Sequence, residues 1–168
     1  ELAYEILIEN DGNNFIYAPL VNYADHTFGV CKKMLDDKNA IMGLGDGGAH
    51  VGFILDAGYP TWLISYWSVK KKAFSMEETV RRLTSDTASA AGLNDRGILK
   101  VGLKADINII DWENVSSSDP FMTQDLPAGG KRLMQHTKGY VTTIVSGKVT
   151  YKNGEFTKER PGTVVKSV

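Results

Sequence analysis

A single thiol, Cys31, is all the cysteine in 168 residues. That excludes an internal disulfide and fits a reducing, cytoplasmic compartment. Long apolar runs are lacking too. None approaches the roughly 18 residues of a membrane span, and no secretory signal pattern opens the sequence. Neither sign of charge dominates, with 19 Lys and Arg against 20 Asp and Glu. The balance argues against a nucleic-acid or membrane-surface binder. The three histidines form no H-x-H and no H-x3-H pair, and there is no internal repeat and no low-complexity segment.

What is present is an ordinary apolar fraction, 42%, enough to bury one core or two small ones. Charge is uneven along the chain. Residues 131–168 carry eight Lys and Arg against two Glu, which reads as a solvated hairpin face, with an acidic partner as the alternative. Cys31 sits in "FGVCKKML", where helical spacing makes it a core thiol rather than a nucleophile. "ELAYEILIEN", starting at Glu1, reads as a helix already under way. The sequence is therefore expected to be a piece of something longer.

Hydrophobic periodicity predicts a helix over 2–9, stopped by Asp11-Gly12, and a short buried strand over 14–20, "NFIYAPL". A helix follows within 25–39, with Asp25 available to cap it. "AIMGLG" (40–45) is continuous rather than alternating, as in a strand buried on both faces. Strand, helix and strand at that spacing predict a parallel βαβ unit. The aromatic run 53–74 is expected to be partly helical, with Tyr59, Trp62, Tyr66 and Trp67 packed together and Lys70, Lys71 and Lys72 on a wet turn. Ser75-Met76-Glu77-Glu78 is a capping box. It opens a helix with Met76, Val80, Leu83, Thr87, Ala88 and Ala91 on one face, ended by Gly92. Beyond it, "ADINIID" and the segments around Ser146-Gly147 and Asn153-Gly154 read as strands and tight turns. "VSSSDPFMTQDLPAGGKR" reads as a polar loop. The division is a helix-and-strand part, 1–92, and a β part, 93–168.

One stretch invites chemistry: "IMGLGDGGAHVG" (41–52). At the carboxyl end of a parallel strand, where ligands meet such sheets, it places a lone carboxylate, Asp46, among glycines. Gly47 and Gly48 keep side chains away from whatever that carboxylate contacts. Asp46 could accept a hydrogen bond, bind a metal, or take a proton from water. The same "DGG" is also plain turn chemistry, with Asp46 closing an Asx-turn. His50, four residues on, could share a metal with it on a helix, or be a loop histidine. His26 and His136 read as surface or capping residues. Neither a Walker lysine nor a complete G-x-G-x-x-G is present.

Taken together, "GLGDGGAHVG", "EETVRRLTSDTASAAGL", "RGILKVGLKADINIID" and "TTIVSGKVTYKNGEFT" resemble the C-terminal third of an amidohydrolase-superfamily enzyme of the N-acyl-D-amino-acid deacylase (D-aminoacylase) type. The resemblance runs from about Glu1 to Thr157. It implies an α/β fold: the last two β/α units of a metal-dependent (β/α)8 barrel, plus strands of a small composite β-sandwich. It implies zinc in the complete enzyme. It also implies that Asp46 is both metal-site residue and acid/base, taking a proton from the attacking water and returning it to the leaving amine. His50, Gly47 and Gly48 would meet the substrate, a small N-acyl amide, and Tyr59, Trp62 and Tyr66 would line the mouth of the site.

The family's other ligands have no counterpart in this sequence. One ligand falls short of the three a catalytic zinc normally needs, so the chain alone is expected to be inactive. Exposed strand edges and helix faces would favour homo-oligomers. The rival expectation is a non-enzymatic, self-associating binding module with the 59–67 aromatics at its interface.

Overall fold

Two-residue turns connect strands of the largest described sheet. Ser146 and Gly147 both have positive φ (49° and 78°), as do Asn153 and Gly154 (51° and 85°). That pairing is the turn whose twist suits a hairpin. The turns connect β6 (Tyr140–Val145), β7 (Lys148–Lys152) and β8 (Glu155–Phe156). With β1 (Ile107–Ile110) they form a four-stranded antiparallel sheet in the order β1-β6-β7-β8. Just before β1, Asp106 Oδ1 accepts the Ser146 N–H at 2.8 Å, and Gly147 N–H donates to the Ala105 carbonyl at 2.9 Å. The Ala-Asp pair of the "ADINIID" strand thus holds the turn of the neighbouring hairpin.

The computed structural model describes residues 1–18, 21–43, 45 and 50–165, in two units, Glu1–Ile41 and Met42–Val168. The first unit contains α1 (Leu2–Gly12) and α2 (Gly29–Asp36). Both helices expected there are present. In α1 the helical backbone gives way at Glu9, and Asn10 and Asp11 turn left-handed (φ 53° and 55°), slightly ahead of the Asp11-Gly12 stop. Asp25 caps no helix. Its carboxylate accepts the Thr27 N–H and hydroxyl at 3.0 and 2.8 Å, and Thr27 Oγ1 accepts the Gly29 N–H at 3.2 Å.

The strands expected over 14–20 and 40–45 are absent among the described residues. Residues 14–18, 40–43 and 45 are irregular, and Phe15, Ile16 and Tyr17 are exposed. A parallel strand needs neighbours to satisfy its backbone groups, and every described ladder is antiparallel and lies beyond residue 106.

The second unit's core is helical. A short helix, α3 (Tyr59–Trp62), runs into a wider π-helical stretch, Leu63–Lys70. Of the four aromatics expected to gather, three are in ring contact: Trp62 stacks on Tyr66 with centroids 4.7 Å apart, and Trp67 meets both edge-on. Leu63, Ile64, Trp67, Phe74, Ala88 and Val115 are buried. Lys70, Lys71 and Lys72 are exposed.

Ser75 caps α4 (Met76–Leu83), its Oγ accepting the Glu78 N–H at 3.1 Å. The single helix expected to Gly92 is two, however, because Thr84 breaks it (φ −126°, ψ −86°) before α5 (Ser85–Ala90). The Thr84 hydroxyl donates to the Val80 carbonyl at 2.6 Å, a back-bond that bends helices. The buried face also differs. Thr79 is fully buried with its hydroxyl on the Ser75 carbonyl, whereas Met76 and Val80 are 47% and 42% exposed.

The segment expected to be a polar loop holds three strands: β2 (Ser116–Ser117), β3 (Phe121–Leu126) and β4 (Gly130–Met134). β2 pairs with β5 (Thr137–Lys138), and β3 pairs with β4 around the Pro127–Gly129 turn. Asp125 and Arg132 bridge the β3–β4 hairpin at 2.6 Å. Its strands, FMTQDL and GKRLM, mix polar and apolar residues with no regular alternation of hydrophobicity to read.

Candidate functional site

Asp46, Gly47 and Gly48 lie outside the described residues; the residues that flank them do not. On one side, a Cβ on Gly45 would lie 2.8 Å from the Ala57 Cα. On the other stands His50, in the left-handed region at φ 50°. Its carbonyl accepts two N–H groups, from Phe53 at 2.9 Å and Ile54 at 3.0 Å. Its ring lies over Phe53, centroids 5.0 Å apart and planes 31° apart. The next carbonyl, that of Val51, accepts the Leu133 N–H of β4 at 2.7 Å. This last tie joins the glycine-rich segment to a strand that sequence patterning did not reveal, and no residue type at Leu133 signals it.

The other histidines are exposed, as expected. His26 donates its N–H to the Tyr23 carbonyl, and His136 packs its ring on Phe121 at 4.7 Å. Cys31 is half-buried with Sγ 3.5 Å from the Asn22 carbonyl, and burial raises its thiol pKa. It is thus a poor nucleophile. Tyr59 opens α3, and Lys70 and Lys71 lie 5.9 and 5.5 Å from the Tyr66 ring centroid.

Asp106 sits in an electrostatic cluster with Arg96 and Lys104. Burial opposes ionisation of Asp106. The Ser146 N–H, Lys104 and Arg96 outweigh that burial and hold its carboxyl below the ordinary range. Arg96 also pairs with Asp95 at 2.8 Å. Two open depressions, of about 300 and 450 Å³, are lined around Asp111 and Lys138 and around Lys72 and Trp112, away from His50.

Among the described residues no group of three or more His, Cys, Asp and Glu side chains could hold a metal ion. The His50 ring stands against an aromatic neighbour. These residues do not make up a metal site by themselves. No described helix is long and apolar enough to cross a membrane.

A model of the amidohydrolase family matches residues 19–151, and the chain belongs to that family. Among curated proteins it is similar to dihydroorotases from Lactobacillus acidophilus and Lactobacillus johnsonii, 34% and 33% identical over 89 residues. Each match covers 51% of this chain and 20% of the relative. The chain thus spans about a fifth of the length of the curated relatives it matches. Among solved structures it is similar to D-aminoacylase, described as defining a novel subset of amidohydrolases, at 23% identity and a TM-score of 0.45. That match covers 60% of this chain and 19% of the other, as does a match to D-aminoacylase studied for its binuclear metal centre.

Proposed function

We propose that this chain is part of a metal-dependent hydrolase that cleaves the C–N bond of a small amide, of the N-acyl-D-amino-acid deacylase kind. The observation that carries the reading is the family match, whose span, 19–151, includes the whole Asp46–His50 segment. In this reading Asp46 is the acid/base. Amide hydrolysis needs a proton removed from water as it attacks and a proton delivered to an amine that leaves poorly without one. A single carboxylate can do both in turn. Gly47 and Gly48 leave room for the scissile group, and His50 hydrogen-bonds the substrate.

Zinc is the metal assigned to the complete site, with Asp46 as this chain's contribution and the other ligands supplied from outside it. A catalytic zinc takes three protein ligands, and the described residues do not provide them. The isolated chain is accordingly inactive. The same reading assigns residues 1–92 to the last two units of a (β/α)8 barrel, whose strands would form against neighbouring strands of the complete enzyme, and 93–168 to a composite β-sandwich. It places the protein in the cytoplasm, in keeping with its single thiol.

The test is Asp46→Asn in the full-length protein, assayed with N-acetyl-D-leucine and with dihydroorotate. Loss of a general acid/base lowers turnover by about a hundredfold to ten-thousandfold. Undiminished turnover of either amide by Asp46→Asn overturns the assignment. A second reading, a self-associating module, draws on the exposed apolar side chains Leu2, Ile8, Leu99 and Val101. Under that reading the full-length protein hydrolyses neither amide and sediments as an oligomer; under the first, a homo-oligomer retains activity.

A further inference from the structure

His50 combines two local costs with three restraints. His50 is a non-glycine residue in the left-handed region, at φ 50°, a conformation that L side chains adopt at some cost. Phe53, whose ring it meets, is 70% exposed, so a large apolar side chain is kept in water beside it. Neither feature contributes to a core. Left-handed backbone at a non-glycine residue persists where its surroundings hold it. Here the surroundings do so in three ways: the doubly accepting His50 carbonyl, the Phe53 ring, and the Val51 carbonyl fastened to Leu133.

The Leu133 bond is informative in its direction. In the β3–β4 ladder Leu133 stands opposite Met122. In antiparallel pairs one residue's N–H and C=O point to the same side. Because its N–H reaches Val51 at 2.7 Å, Leu133 spends none of its backbone on β3 and offers its outer edge to the histidine turn.

We infer that Leu133, through its backbone N–H, and Phe53, through its ring, are positioning residues that fix the His50 imidazole for contact with an oxygen atom of the amide substrate. This rests on the reading of His50 as a substrate-binding residue. The hairpin β3–β4 is then a functional support of the site. A residue that acts only on substrate contact changes KM and leaves kcat alone.

The experiment measures kcat and KM for N-acetyl-D-leucine in full-length variants. Leu133→Pro removes the donor without removing a β3–β4 ladder bond, and is expected to raise KM about fivefold, the worth of one neutral hydrogen bond, with kcat within about twofold. Leu133→Ala retains the N–H and restores KM. Phe53→Ala, at an exposed position that does not endanger folding, raises KM about threefold on the scale of one aromatic contact, and Phe53→Tyr restores it. The double variant His50→Ala/Leu133→Pro has the KM of His50→Ala, because contacts acting through one residue are not additive.

An unchanged KM in Phe53→Ala, or a Leu133→Pro effect that persists undiminished in the His50→Ala background, overturns the inference. If Leu133→Pro does not fold, the Phe53 pair decides alone. Should His50→Ala itself leave KM unaltered, the reading of His50 falls and the inference with it. Should His50→Ala raise KM while Phe53→Ala does not, only the positioning inference falls.

Discussion

Ala57 lies directly against Gly45. A Cβ added to Gly45 would be 2.8 Å from the Ala57 Cα and 3.3 Å from both the Ala57 nitrogen and the Asp56 carbonyl oxygen. All three contacts are backbone, so no side-chain rotation relieves them. Gly45→Ala should therefore displace one strand of chain from the other and destabilise the protein by about 1–3 kcal/mol, the usual cost of overpacking. Urea unfolding of the full-length protein checks this. A Gly45→Ala midpoint equal to wild type would show that the approach is not maintained in solution.

Tyr140 ties the sheet to the aromatic helix. Its hydroxyl is 2.9 Å from Thr61 Oγ1, and Thr61 is 4% exposed. Tyr140→Phe strands that buried hydroxyl and is expected to cost about 1–3 kcal/mol. Adding Thr61→Val removes the stranded group and should return much of the loss. Thermal unfolding of the two variants distinguishes a lost hydrogen bond from lost packing, since only the former is repaired by the second substitution.

Asp106 gives the fold an acid dependence. Its carboxyl is held below its ordinary pKa, so its contribution is complete above the unfolded value, near pH 4, and disappears as pH falls through the depressed folded value. Asp106→Asn should lower stability at pH 7 by about 1–2 kcal/mol, after allowance for partial exposure. The gap between variant and wild type should close below about pH 4. A gap independent of pH would mean that the amide fails for steric reasons.

Ser75→Ala removes the hydroxyl that accepts the Glu78 N–H. Loss of such a cap costs about 1 kcal/mol, and Ser75→Asp should preserve most of it. Because α4 packs Thr79 into the core, the change should appear in global unfolding as well as in local fraying. Amide exchange at Glu78 reads the local part.

Legibility from sequence followed distance along the chain. The hairpin turns at Ser146-Gly147 and Asn153-Gly154, the cap at Ser75 and the clustering of Trp62 with Tyr66 were all readable. Each depends on residues no more than a few positions apart, where dihedral preference and side-chain spacing suffice. The family was readable for a related reason: its motifs are short and stand in order. The Thr84 break was harder, since a threonine back-bond competes with a helical pattern that otherwise continues to Gly92.

The residues 14–18 and 40–43 show the limit from the other direction. Their apolar runs are what a buried parallel strand requires, yet a strand exists only when another backbone accepts its hydrogen bonds. The β3–β4 hairpin shows it too, for its strands, of mixed polarity, are specified by each other rather than by a pattern within either. The restraint on His50 depends on Leu133, far along the chain, through a backbone bond that leaves no trace in residue identity. Sequence alone determined the local turns, the caps and the family of this protein; tertiary structure decided which strands found partners and which carbonyl met which N–H, because those choices belong to pairs of segments and to neither one alone.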